Sequence, residues 1–436
     1  MAENDACCVY VDSKVRFSPA VAERIAQEYK NRIALNIIGA FGGYYPEDRL
    51  VILLMDIVDG YSGQGDTYIA GYFSMKDVFP KRLIGNSNEM PMLYIDINPG
   101  SPNRSDFYPT IAHELQHLIN FSSRLEKKNP DFAGINTQPE LDALIESVQQ
   151  DDWVDEGLSS AAEYIYNKAA GNNSAGKGHI QAKIDYYNQA DDNFAGNESN
   201  IAAGNNFFTW GEDDKFVYDD YITVYLFFQW LRIHAENGAD IYRSIAESEY
   251  ADYRAVTDAA RRHIPGFFGD TELADEQAWE LLLETWLAAN YINAPEKEAP
   301  GGFFGYNGEF TLRPAVLTPA MLAPLVSDGK TISLYPGEGV YSYLGGGTFG
   351  YPPASPANIR YAGLDTAGSL SRITQGSPGA GKALLTFNAN PQAGAGGETG
   401  ALTGKEIPPA EKTAPGRVTG MPAEPRPIDI RPPVRF

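Results

Sequence analysis

His113-Glu114-Leu115-Gln116-His117 decides how this chain is read. The pattern is H-E-x-x-H, and on an α-helix residues four apart share a face, so both imidazoles can address one metal ion. Glu114 lies about 100° round the helix from His113 and can reach a water in the metal's open position without being a ligand. The flanks support a helix. Ser105 or Asp106 is a candidate N-cap, Pro109 suits a first turn, and Ile111, Leu115 and Leu118 form an apolar stripe. Two surface histidines on an amphipathic helix are the plain alternative, but with five histidines in 436 residues a chance match is rare.

A catalytic zinc needs a third protein ligand. Downstream, Trp153-Val154-Asp155-Glu156-Gly157-Leu158-Ser159-Ser160-Ala161-Ala162-Glu163-Tyr164 predicts a second helix, capped by Asp151 or Asp152. Val154, Leu158, Ala161, Ala162 and Ile165 mark its buried side, and Glu156 and Glu163 fall nearly on one line along it. Glu156 sits one turn in, beside Gly157, whose small size leaves room for another backbone; it is the candidate ligand. Glu163 is the candidate to hold a ligand imidazole by its other N–H, or else a solvated helix charge.

These two segments together resemble the hyicolysin family of secreted bacterial zinc metallopeptidases. The resemblance rests on H-E-L-Q-H-L-I-N-F from His113 and W-V-D-E-G-L-S-S-A-A-E from Trp153. It extends to Ala70-Gly71-Tyr72-Phe73-Ser74 with Asp77, to Ser87-Asn88-Glu89 leading into Leu93-Tyr94-Ile95-Asp96, and to Tyr221-Ile222-Thr223-Val224-Tyr225-Leu226-Phe227-Phe228. It covers residues 10–310 and is strongest over 88–165. The family belongs with the thermolysin-like gluzincins, which use two helix histidines and a downstream glutamate. The family pattern carries Gly-Ala-Ser between the two tyrosines where this chain has Ile222-Thr223-Val224, a difference that bears on side-chain preference.

The resemblance implies an α+β fold. A gluzincin-like catalytic unit would comprise a β-rich subdomain over 1–106 and a helical subdomain over 107–299 carrying the ligands. Past residue 300, composition and the alternation of Thr331-Ile332-Ser333-Leu334-Tyr335 predict a small β domain over 300–390, with a proline-rich tail over 391–436. The resemblance also implies that the strand just before the H-E-x-x-H helix lines the cleft as an active-site edge strand and pairs with substrate backbone. Gluzincins place a tyrosine or histidine beside the developing oxyanion, which makes Tyr221 the candidate here, with Tyr225 second; packing on a helix face is the alternative for both.

Composition limits the function classes. The net charge of −23 disfavours nucleic acid as a partner. No apolar run approaches the ~20 residues of a membrane span. Peptide or protein substrates acted on by a monomer are the expectation. Cys7 and Cys8 are adjacent, so no disulfide framework crosses the fold; they read as free thiols, or one as the remnant of a lipid-attachment site. Met1-Ala2-Glu3-Asn4-Asp5 lacks the basic and apolar regions of a signal peptide, while the resemblance implies a secreted or cell-surface protein, so the chain reads as a mature form with an added start.

In chain order, residues 18–38 predict a helix capped at Ser18, and Leu50–Met55 a central strand. The run Asp59–Asp66 reads as a loop by its glycine content; its aspartates could bind Ca2+, but they lack regularly alternating oxygen ligands, which favours an ordinary turn. Strands follow over 68–73 and 92–97, and a helix over 139–149. The run Gly171–Gly176 breaks the chain and 190–206 is again rich in Asn, Ala and Gly; His179 lies alone in this loop region and reads as exposed. Helices return over 219–236, 239–264 and 272–290, with His234 and His263 as structural residues at helix ends. Beyond 300 glycine and proline become frequent, and the last 46 residues hold nine prolines with no core-forming pattern, which predicts a disordered tail.

Zinc metalloendopeptidase is the reading, with Glu114 as general base and His113, His117 and Glu156 as ligands. An aminopeptidase would need an acidic group for the substrate amine. Glu89 lies in a suitable place, although the full G-x-M-E-N pattern is absent. A surface adhesin that keeps a metal site with little turnover is the rival from another class. A structural zinc fits poorly, because such sites use four side chains and usually cysteine.

Overall fold

The computed structural model describes residues 1–46, 48–59, 61, 68–171, 175–190, 201–204, 208, 217–270, 272–296, 302–317, 331–392 and 398–401. It is a mixed α+β chain that divides into two compact units. The first contains Met1–Gln150 and Leu158–Ile180; the second contains Asp151–Gly157 and the described residues from Gln181 onward.

The first unit is built on Leu50–Met55 (β3), an unbroken apolar run buried along its whole length. Such a run suits a strand covered on both faces. Ala2–Glu3 (β1) and Cys7–Val11 (β2) precede it, with Gly71–Phe73 (β4) and Met92–Asp96 (β5) following, in the sheet order β1-β2-β3-β5-β4. The β2–β3 and β3–β5 pairings are parallel, and β1 and β4 are antiparallel additions. Pro19–Glu28 (α1) and Leu35–Phe41 (α2), joined by a π-helical turn over Tyr29–Ala34, make the crossover from β2 to β3. As expected, Ser18 is the N-cap and Pro19 opens the first turn.

The expected edge strand is corrected here. Residues 92–96 lie inside the sheet, between β3 and β4, and β4 takes the edge among the described residues. The expected 68–73 strand is shorter, with Gly71 facing Ile95 and Phe73 facing Leu93, and Ala70 O accepting from Asp96 N at 2.9 Å. Gly71 permits this closeness: a Cβ there would stand 2.9 Å from both the Tyr94 carbonyl oxygen and Thr110 Cγ2. Below, Asp77 is buried and accepts from Asn88 N at 2.8 Å, Asn88 Nδ2 at 2.9 Å and the Tyr94 hydroxyl at 2.8 Å. Burial raises its pKa against the pull of those donors. At the end of β5, Asp96 accepts from the backbone N–H groups of Ile57, Asn98 and Gly100. It thereby turns the chain toward the next helix.

That helix is Phe107–Lys128 (α3), followed by Gln138–Val148 (α4) with a Thr137/Glu140 capping box. Asp152–Ala170 (α5) begins in the second unit and continues in the first. After it the structure departs from the sequence reading: Ala175–Asn188 (α6) is a helix, not loop.

Cys7 and Cys8 are free and buried in β2, and burial pushes the Cys7 thiol up to about 12. Nothing in the structure supports a lipid on either thiol. No described helix is long and apolar enough to cross a membrane.

The second unit surrounds Val217–His234 (α7), whose residues from Ile222 to Leu231 are all buried. Trp153 packs with Phe208 at 4.9 Å and Trp279 at 5.5 Å between ring centroids. The helix expected over 239–264 is two, Asp240–Ala246 (α8) and Tyr253–His263 (α9), because Asp252 caps a fresh start by accepting from Arg254 N. Asp275–Ile292 (α10) follows. The strands are Val316–Leu317 (β6), Thr331–Leu334 (β7), Gly339–Tyr343 (β8), Thr348–Phe349 (β9), Ile359–Asp365 (β10), Ser369–Ile373 (β11), Gly379–Ala380 (β12), Ala383–Asn388 (β13) and Glu398–Ala401 (β14). The main sheet runs β11-β10-β13-β8-β6.

These strands do not form a unit of their own over 300–390, and the helical subdomain does not span 107–299. The sheet is fastened to α10 by the Arg360–Glu280 and Arg372–Glu284 ion pairs and by the Tyr341 hydroxyl donating to Leu287 O. Residues 107–150 group with the first sheet instead. The expected tail is shortened at its start, since β14 pairs through its backbone with β7. Residues 402–436, the bulk of that tail, lie outside the described residues.

Candidate metal centre

Helix α3 carries the first two candidate ligands. Its N-cap is Asp106, whose carboxylate takes an ion pair from Arg104 and a hydrogen bond from Tyr68 and makes no side-chain cap bond. Asn129 ends it in the left-handed conformation, and Lys127 and Lys128 fill its last turn. Ile111, Leu115 and Leu118 are fully buried, so the apolar stripe is real. The polar face is covered too: His113, Glu114, Gln116 and Asn120 are all buried. Asn120 is held by its amide donating to Gln150 Oε1 at 2.9 Å, and Arg124 donates to Val148 O at 2.7 Å.

The His113 and His117 rings lie 4.8 Å apart between centroids, at 74°. Each offers a ring nitrogen to a common point with a carboxylate oxygen of Glu156, the three ligand atoms all within 4.8 Å of one another. His113, His117 and Glu156 can therefore hold a metal ion. The expectation that Gly157 admits a backbone is corrected. A Cβ at Gly157 would collide with the ring of Phe228, so the glycine makes room for an aromatic side chain on α7.

The Nδ1 atoms of both imidazoles are engaged, which bears on where each ring carries a hydrogen. Nδ1 of His113 lies 3.0 Å from Glu163 Oε1, and a carboxylate can only accept, so His113 donates there. Nδ1 of His117 lies 3.0 Å from Ser159 Oγ, whose own proton goes to Gln116 Oε1 at 2.5 Å. His117 must then donate as well. A neutral ring that donates from Nδ1 has its lone pair on Nε2, the form a metal requires. The donor set fits a divalent metal of the zinc kind, which takes imidazole nitrogen and carboxylate oxygen.

Ser159, Gln116 and His179 were missed in the sequence. Ser159 had a signal, since it lies three residues after Glu156 and four before Glu163, on one face of α5. His179 is corrected from exposed loop to half-buried helix residue on α6. Its Nε2 lies 2.7 Å from Glu163 Oε2.

Other candidates fall elsewhere. Tyr221 is half-buried near the start of α7. Tyr225 is fully buried, with the Lys183 ammonium 5.3 Å from its ring centre. Glu89 is exposed and accepts from the backbone N–H of Lys81 at 2.8 Å, closing a turn. His234 and His263 are structural, bonded to Gly305 O and Ser244 Oγ. Asp59 accepts from the N–H groups of Tyr61 and Ile69, and the rest of the possible Ca2+ loop, 60 and 62–67, lies outside the described residues.

No protein-family model matches the chain. It is 25% identical over 317 residues to the neutral metalloprotease ShpI of Staphylococcus hyicus, an alignment that takes in 70% of this chain and 60% of that protein. The chain thus spans less than two thirds of the relative's length. The similarity marks distant homology to a metalloprotease.

Proposed function

We propose that the chain is a zinc-dependent endopeptidase of the gluzincin kind, exported from the cell, acting on peptides or proteins. The observation that carries this reading is the set of His113, His117 and Glu156 with both histidine Nδ1 atoms already engaged as donors. Distant homology to a metalloprotease supports the same chemistry, and the hyicolysin-like segments support the finer assignment.

Zinc held by these three residues would supply Lewis acidity, lowering the pKa of a water and polarising a peptide carbonyl. Glu114 follows His113 on α3 and is buried beside the ligands. One of its carboxylate oxygens would take the proton of the attacking water and pass it to the departing amide nitrogen. Tyr221 would donate its phenolic proton in a hydrogen bond to the oxygen that gains charge. The outer side of β4, in place of residues 92–97, offers backbone N–H and C=O groups to an extended peptide.

An endopeptidase is favoured over an aminopeptidase because the full G-x-M-E-N pattern is absent, and one oxygen of the Glu89 carboxylate already accepts from Lys81 N. The test is metal analysis of dialysed protein with hydrolysis of a peptide blocked at both ends. Bound zinc and chelator-sensitive cleavage are expected. Protein that binds no zinc, or cleaves only peptides with a free amine, overturns the reading.

A further inference from the structure

We infer that His179 is a positioning residue for the metal centre, acting through Glu163 on His113. The inference rests on the proposed zinc site and goes beyond its ligands. Glu163 is buried on α5, and its two carboxylate oxygens serve two imidazoles. Oε1 takes the Nδ1 proton of His113 at 3.0 Å, and Oε2 lies 2.7 Å from Nε2 of His179. Because the carboxylate only accepts, His179 donates from Nε2. The order is thus ligand imidazole, carboxylate, second imidazole, drawn from α3, α5 and α6.

A lone glutamate has three side-chain torsions with which to leave a ligand histidine. Fixing the second oxygen removes that freedom and stabilises a carboxylate in a buried place, where a lost donor is costly. His179 thereby holds the ring of His113 with its Nε2 lone pair toward the ion. Partners one step outside the ligand shell commonly change metal affinity by about 10–100-fold.

The test measures zinc dissociation constants by competition with a chromogenic chelator, on the full chain, with circular dichroism as the check on folding. His179→Phe keeps a flat ring and removes the donor; His179→Gln places an amide N–H near the lost Nε2. The phenylalanine variant should bind zinc about 10-fold more weakly, and the glutamine variant should recover most of the affinity. Wild-type affinity in folded His179→Phe overturns the inference and leaves the metallopeptidase reading standing. Equal weakening in both variants also overturns it, since the donor would then not matter. A wild-type chain that takes up no zinc overturns both.

Discussion

Ser159 Oγ stands 3.0 Å from His117 Nδ1 while giving its own proton to Gln116 Oε1. The serine therefore does for the second histidine what Glu163 does for the first, with a neutral acceptor. Ser159→Ala removes it without touching a ligand. Zinc should bind about tenfold more weakly, read by chelator competition, while the fold is kept.

Glu156 and Glu163 sit on the same helix yet should fail differently. Glu156→Ala deletes a ligand atom, so dialysed protein should lose most of its metal in elemental analysis. Glu163→Ala leaves all three ligand atoms in place. It should keep a full equivalent at high zinc and weaken affinity by about 10–100-fold. The same loss in both would mean that Glu156 is not a ligand.

Glu114→Gln separates the base from the metal. Size and shape persist and no ligand goes, so zinc content should match the wild type. Hydrolysis should fall by at least ~10²–10⁴-fold, mainly in kcat. Loss of metal from this variant would show Glu114 to be a ligand instead.

Gly157 has no room for a methyl group. The ring it would strike, Phe228, is itself fully buried against Trp153, Phe227 and Tyr242 and cannot swing away. Alanine's better helix propensity returns up to ~1 kcal/mol, and overpacking costs about 1–3, so Gly157→Ala should lower stability. Thermal melts of Gly157→Ala, Phe228→Leu and the double variant check the cause. The double should be less damaged than the two singles added together.

Asp151, just before α5, is held near pH 6 by its surroundings. Burial, then the nearby Asp252 carboxylate, raises its pKa from 3.8 to about 6. The folded chain keeps this proton where the unfolded chain has lost it. The group's contribution to stability is thus intact below about pH 4 and lost as pH rises through 6. Asp151→Asn should stabilise the protein at pH 7 by about 1–2 kcal/mol, allowing for partial exposure, with the advantage gone by pH 4 in denaturant titrations.

What the sequence made legible were features written in local spacing. The four-residue step from His113 to His117 and the seven-residue step from Glu156 to Glu163 need only helical geometry to be read. The unbroken apolar run of β3 announced a buried strand in the same way. Ser159, Gln116 and His179 act across helices, and nothing in the chain near them says which ring they meet. The sequence around His179 reads as loop because Gly171, Asn172, Asn173 and Gly176 lie on its approach. Its helix is held by tertiary contact, which overrides propensity. The edge position of β4 was hidden for a related reason, since pairing order in a sheet follows no short-range pattern. Composition past residue 300 suggested a separate domain, but ion pairs 80 and 88 residues apart bind that sheet to α10.

Gly71 has a consequence for anyone surveying variants of this protein. Its Cα faces both the Tyr94 carbonyl and the Thr110 methyl, the latter one helical turn before His113. Even alanine would prise β4 from β5 and press on α3 at once. In a saturation scan scored by activity, position 71 should therefore be as intolerant as a ligand, although it carries no functional group. A stability readout run beside the activity score would tell the two kinds of intolerance apart.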